Sequence, residues 1–216
     1  MASTDQHVQH PQIAATPDGT ASAAAGATAW GNSAPLALAA FAVTTFMLSM
    51  VNAHLVNAAV TPVVFGVAFM FGGLTQLIAG IIQFRTGNTF AGVLFSTFGA
   101  FWLSLFAIAE FFLKDVPAAQ TGHALGLFLY GFGIFTVWIF AASFRTNAVV
   151  VVALAALAVT FFVLGAANYG GNATLLHVGG YLGLAVAALA AYLSCAELCE
   201  AAYKREVLPV WPLASH

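Results

Sequence analysis

Val149-Val150-Val151-Val152-Ala153-Leu154-Ala155-Ala156-Leu157-Ala158-Val159-Thr160-Phe161-Phe162-Val163-Leu164 contains one hydroxyl and no charge. A membrane β-strand alternates apolar and polar residues over about ten positions. This run is apolar at nearly every position, which suits a helix immersed in hydrocarbon. Working outward from it, no Asp, Glu, Lys or Arg occurs between Arg145 and Glu197. From Pro35 to Ala196 only Arg85, Glu110, Lys114, Asp115 and Arg145 carry charge. The chain of 216 residues is 62% hydrophobic and 6% charged, whereas a soluble domain is about 25% charged. So few charges cannot cover a soluble surface of this size, and so apolar a chain is not a disordered one. Five Lys and Arg with a net charge of −2 exclude a nucleic-acid surface, and two cysteines exclude a disulfide scaffold. The composition is that of an integral membrane protein.

A bilayer core takes about 20 apolar residues per helix. Breaking the chain at charges and at Gly, Asn and Pro clusters predicts an all-helical membrane bundle. Its six spans lie near 35–51, 60–84, 89–113, 123–143, 147–167 and 173–196. Residues 1–34 lack Lys and Arg and are rich in Ala, Thr, Gly and His. They read as a disordered tail, because a signal peptide needs a positive start, and His7 and His10 read as solvated. Residues 197–216 read as a C-terminal tail. Six spans put both termini on one side, with Arg85, Arg145, Lys204 and Arg205, and leave Lys114 on the other. The positive-inside rule then predicts a multi-pass protein of the inner or plasma membrane with both termini cytoplasmic. Cys195 and Cys199 read as thiols one helical turn apart rather than a redox pair.

An internal echo accompanies the six spans. Gly87-Asn88-Thr89 opens the third span, and Gly171-Asn172-Ala173-Thr174 opens the sixth. Glycine permits the turn and asparagine caps the helix. The positions fit a 3+3 duplication, which with three spans per half is an inverted repeat.

Polar residues within spans are costly and are functional suspects. Here they are mostly amides and hydroxyls, with no mid-membrane carboxylate and no Lys or Arg cluster. Pumps with a carboxylate relay, voltage sensors and cation channels are thereby disfavoured. No Ser/His pair, histidine-rich metal cluster or paired carboxylates on one helix points to an enzyme, and no cofactor or metal is expected. Phe41, Thr44, Thr45, Leu48 and Asn52 share one helical face of the first span. Leu157, Thr160, Leu164 and Asn168 share one face of the fifth, and Phe98 and Trp102 pair on the third. Such stripes line either a narrow conduit or a helix–helix contact. The substrate-binding candidates are Thr44, Thr45, Gln76, Asn88, Trp102, Asn168, Asn172 and His177. Asn88 and Asn172 enter as helix starts suited to a carboxylate. His177 enters as the nearest resident proton donor.

Asn32-Ser33-Ala34-Pro35-Leu36-Ala37-Leu38 resembles the Asn-Pro-Ala-Pro-Leu-Gly-Leu signature of the acetate uptake transporter family, which includes bacterial acetate–succinate permeases and yeast ammonia/acetate exporters. The similarity continues through Phe71-Gly72-Gly73, Gln76, Gly87-Asn88-Thr89-Phe90, Phe98-Gly99, Phe101-Trp102, Gly171-Asn172-Ala173, His177 and Val207-Leu208-Pro209. The resemblance implies a homo-hexamer of six-helix protomers, each with its own pathway for acetate and, in some members, succinate. It also implies a Phe/Tyr/Leu constriction, which falls on Phe41, Phe98 and Leu157. The chain departs from the pattern at Ser33 for Pro, Ala37 for Gly, Phe98 for Tyr and Gln83 for Glu.

The expected function is passage of acetate and related small monocarboxylates, as the anion or with a proton, through a narrow apolar constriction. The alternatives are a urea, short-amide or ammonium-related channel, and a carboxylate sensor that transports nothing. The expected partners are the substrate, the lipid bilayer and other copies of the chain.

Overall fold

Away from water, a backbone segment must satisfy its own N–H and C=O groups, and a helix does so within itself. The computed structural model describes residues 30–213, and the bundle begins at Gly31. The expected tail, as far as residue 29 and with His7 and His10, lies outside the described residues. Six helices are long and apolar enough to cross a membrane. They are α1 (Ala34–Asn52), α2 (Ala58–Arg85), α3 (Thr89–Asp115), α4 (Ala118–Arg145), α5 (Ala148–Tyr169) and α6 (Ala173–Tyr203). All six expected spans are present. The largest difference is α6, which continues past the expected end at 196 to Tyr203, where Lys204 takes a left-handed conformation (φ 58°).

Successive helices run antiparallel, and long-range contacts set their register. Ser194 Oγ donates to Pro35 O at 2.7 Å, which joins the last helix to the start of the first. Ser33 Oγ donates to Ala79 O at 2.7 Å and joins the start of α1 to α2. Two turns further, Gly72 lets α2 approach α1 so closely that a Cβ there would lie 2.6 Å from Thr44 Oγ. Arg85, Arg145 and Lys204 therefore end α2, α4 and α6 at one end of the bundle, the basic end, while Lys114 ends α3 at the other.

Two helices contain a π segment. In α2, Ala68–Thr75 winds as a π-helix, and α geometry resumes at Gln76. In α3, Ile108–Phe112 does the same. A π-turn is rare and is frequent at functional sites, because the extra residue per turn rotates the rest of the helix about its axis. Here the first residue after the π segment, Gln76, is only 1% exposed.

Beyond Lys204 the chain folds back over the basic end. Tyr192 Oη donates to Pro209 O at 2.7 Å. Ala148 N donates to Trp211 O at 3.0 Å, and Leu213 N donates to Thr146 O at 2.9 Å. The C-terminal segment thus forms a strap that pins α6 to the α4–α5 turn. Cys195 and Cys199 are free thiols with their sulfurs 3.9 Å apart.

Candidate functional site

Two cavities lie inside the bundle, one on each side of Phe41 and Leu157, which line both. The wider, of about 210 Å³, opens toward the end opposite the basic one, and its lining includes Thr45, Asn52, Trp102, Thr160 and Asn168. The narrower, of about 50 Å³, lies toward the basic end and is almost wholly apolar. Its single amide is Gln76, among Leu38, Leu94, Phe95, Phe98 and Leu193.

The partition is built from rings. Phe41 and Phe98 lie 5.5 Å apart between centroids, tilted by 59°. Phe98 stacks nearly parallel on Phe161 at 6.1 Å, and Phe41 meets Trp102 at 6.5 Å. These helices bring four aromatic side chains and Leu157 together because Phe98 and Trp102 share one face of α3, a turn apart, as Leu157 and Phe161 do on α5. Phe161 is the member that spacing reasoning passed over, although its i+4 relation to Leu157 marks it.

Several buried polar atoms beside the partition have no hydrogen-bond partner. They are Thr45 Oγ1, Trp102 Nε1 and Gln76 Oε1. A buried polar atom left unpaired costs about 1–3 kcal/mol, and native proteins keep few of them. By contrast, Thr160 Oγ1 donates to Ala156 O at 2.7 Å, and Asn168 Nδ2 donates to Leu164 O at 2.9 Å. Asn168 also lines the wider cavity.

The other expected residues lie elsewhere. Thr44 is fully buried against Gly72 and donates to Ala40 O at 2.8 Å; it lines neither cavity. Asn88 and Asn172 sit at opposite ends of the bundle as exposed N-caps. Their side-chain oxygens accept from Ala91 N at 3.0 Å and Leu175 N at 3.1 Å. Preceding each is a glycine in the left-handed region, Gly87 (φ 83°) and Gly171 (φ 61°), where an L side chain is strained. The reason for the difference is that each asparagine spends its side-chain oxygen on one cap and neither lines a cavity. Asn88→Ala should therefore lower stability by about 1 kcal/mol and leave acetate affinity unchanged; thermal unfolding and uptake measured on the same preparation check this. His177 lines neither cavity and faces His54 near the α1 end.

At the basic end the signature segment is tied down. The Gln83 amide, 2% exposed, lies 2.9 Å from both Asn32 Oδ1 and Ser33 Oγ. Asn32 Nδ2 donates to Glu197 Oε2 at 3.1 Å. An amide at position 83 thus joins a network that already holds one carboxylate, Glu197, beside which a second carboxylate would place a like charge.

Known proteins share this architecture. A family model described as the GPR1/FUN34/yaaH family matches residues 15–215. The succinate-acetate/proton symporter SatP of Escherichia coli (strain K12) is 34% identical over 188 residues, covering 86% of this chain and 97% of that protein. Ammonia transport outward protein 2 of Saccharomyces cerevisiae is 40% identical over 168 residues, covering 76% of this chain and 60% of that protein. The solved structure of the bacterial acetate channel SatP superposes with a TM-score of 0.79 at 31% identity, covering 84% of this chain and 99% of that one.

Proposed function

Because the chain belongs to the GPR1/FUN34/yaaH family, we propose that it carries acetate and related small monocarboxylates across the membrane through its two cavities, past Phe41, Phe98 and Leu157. It is a multi-pass membrane protein and not an enzyme, and relatives named as a succinate-acetate/proton symporter and an acetate channel support the substrate class. The observation that carries the reading is the trio of unpartnered buried polar atoms on Thr45, Trp102 and Gln76, set on both sides of an aromatic partition.

A bare carboxylate leaving water for an apolar ring costs several kcal/mol. Trp102 N–H and Thr45 O–H are donors suited to a carboxylate oxygen in the wider cavity, with Asn168 at its lining. Gln76 offers an amide on the far side, able to donate to the anion or to accept from the O–H of the neutral acid. A free carboxyl has a pKa near 4, so flux that rises as pH falls from 7 to 5 marks the acid as the species crossing the ring, and flux that tracks the anion marks the other. The absence of a Lys or Arg at this level suits rapid release.

The basic end is assigned to the cytoplasm by the positive-inside bias, with both termini there. Assembly as a homo-hexamer and the 3+3 inverted repeat belong to the same proposal. The large apolar side chains exposed on α2 and α4, such as Val63, Leu127 and Trp138, suit lipid or another copy, and native mass spectrometry counts the copies.

Proteoliposomes loaded with labelled acetate test the reading. Saturable acetate flux at pH 5–6, blocked by small monocarboxylates and indifferent to urea and acetamide, is expected. Flux of urea or acetamide in preference to acetate overturns it, as does saturable acetate binding without flux. Within the site, Trp102→Phe keeps one aromatic ring and removes the N–H. A hydrogen bond to a charged group is worth about 1.5–3 kcal/mol, so the acetate concentration at half-maximal flux should rise at least about tenfold. The melting temperature should change little, because the removal of an unpaired buried donor is offset by the space that the smaller ring leaves beside Phe41 and Phe101.

A further inference from the structure

The narrower cavity has one wall on α5, with Val150 and Ala153, and another on α6, with Ala190 and Leu193. The C-terminal strap bridges these same two helices at the basic end. On α6, Tyr192, the residue before Leu193, donates its hydroxyl to Pro209 O. On α5, Ala148, two residues before Val150, donates its N–H to Trp211 O, and Thr146 O accepts from Leu213 N. Between these anchors Leu208 and Val210 are half-buried, with Val210 packed against the apolar core, whereas Val207, Pro209 and Trp211 are exposed. That alternation is how an extended chain lies on a surface.

The hold on the strap is light. Among the described residues three non-glycine residues are left-handed, and two of them, Lys204 (φ 58°) and Trp211 (φ 52°), bracket the strap; His54 (φ 53°) is the third. An L side chain is strained in that region, so the anchors impose this path on the chain and local preference does not. A segment with little buried apolar surface and few, peripheral hydrogen bonds opens far more readily than the bundle beneath it.

We infer that the strap, residues 207–213, is the inner gate of the narrower cavity: docked, it closes the cavity toward the basic end, and undocked, it lets α5 and α6 part there. The effect on passage rests on the proposed transport function; control of access to the cavity does not. Two changes move the strap in opposite directions. Tyr192→Phe removes one anchor without altering the lining, to which Tyr192 does not belong. A disulfide fixes the docked state. Asn147 and Pro212 are antiparallel bridge partners, and the flanking bonds Thr146–Leu213 and Ala148–Trp211 make them a non-hydrogen-bonded pair. The Cα atoms of such a pair lie about 4.5 Å apart, which a disulfide can span.

The test uses the full-length protein with Cys195→Ser and Cys199→Ser, so that no native thiol interferes. Ala153→Cys then reports access to the narrower cavity, read by mass spectrometry as its rate of modification by a sulfonatoethyl methanethiosulfonate in detergent. Tyr192→Phe should raise that rate about two- to tenfold, the worth of one hydrogen bond. With Asn147→Cys and Pro212→Cys added and oxidised, the rate should fall several-fold. In proteoliposomes the oxidised pair should slow labelled acetate flux several-fold, with recovery on reduction. The reduced form of the same variant is the reference, and each single cysteine variant should ignore the oxidant. Failure of the two cysteines to join, or modification that is the same with the strap locked, native or loosened, overturns the gate. Strap-sensitive modification with acetate flux indifferent to the lock overturns its control of passage. Absence of acetate flux from every preparation, with strap-sensitive modification intact, overturns the transport reading and leaves the strap as the cover of the cavity.

Discussion

Leu157→Ala is expected to raise the passage of carboxylates larger than acetate. Leu157 and Phe41 are the two side chains that line both cavities, so trimming Leu157 joins spaces of about 210 Å³ and about 50 Å³. Removing a methylene or two from a selective apolar contact changes discrimination by about 10–200-fold. Lactate and succinate uptake should accordingly rise at least about tenfold relative to acetate. The substitution costs stability too, near the lower end of the roughly 2–5 kcal/mol typical of buried Leu→Ala, since one flank of the side chain already faces space. Flux of lactate, succinate and acetate measured side by side, normalised to folded protein, checks this. Unchanged ratios would remove Leu157 from the constriction. Phe98→Ala has a different expectation, because Phe98 also stacks on Phe161 and meets Phe135 at 6.0 Å; its loss loosens the α3–α4–α5 packing.

Gly180→Ala is expected to be the most damaging glycine-to-alanine change among the described residues. The added carbon would meet Ala53 N, with Ala53 Cα and the Asn52 carbonyl carbon each at 2.7 Å. All of these are backbone, and no side chain can swing aside. Helices in lipid associate through close backbone approach at small residues, and α1 against α6 is such a seam from Pro35–Ser194 to Ala53–Gly180. Separating the two helices misplaces Phe41 and Thr45 together. Gly183→Ala, one turn on, is the control: its added carbon meets the Ser49 hydroxyl, a side chain able to rotate. Folded yield in detergent and melting temperature should fall steeply for Gly180→Ala and modestly for Gly183→Ala. Equal behaviour of the two would mean that the seam yields as a unit.

The chemistry of hydrocarbon explains why the fold was legible in the sequence. Where a run such as Val149–Leu164 carries no charge, helix is the one local answer, and all six spans derive from that rule and from Arg85 and Arg145 as stops. The stripes of Phe41, Thr45 and Asn52 and of Leu157, Thr160 and Asn168 were also legible, since they lie on uninterrupted α geometry. The features that local pattern does not reveal have identifiable causes. The π segment before Gln76 breaks the 3.6-residue period on which spacing arguments depend. Asn88 and Asn172 look alike as cap and as ligand, and the structure gives them to the caps. The strap from Lys204 to Leu213 and the pairing of His54 with His177 arise from long-range contacts that no local pattern encodes. His54 in particular gains its place through a left-handed backbone that sequence periodicity does not signal.

Thioacetate is close to acetate in shape and carries a sulfur that scatters anomalously at long wavelength, so crystals grown with it reveal the position of the substrate as a peak beyond the Met and Cys sulfurs. That sulfur should lie within the Phe41, Phe98 and Leu157 constriction or in a cavity beside it, with the thiocarboxylate group in hydrogen-bond reach of Trp102 Nε1 and Thr45 Oγ1, or of the Gln76 amide. Added sulfur peaks confined to the Gly-Asn helix starts at Asn88 and Asn172, or to the outer faces of the bundle with both cavities empty, would contradict passage through the aromatic partition.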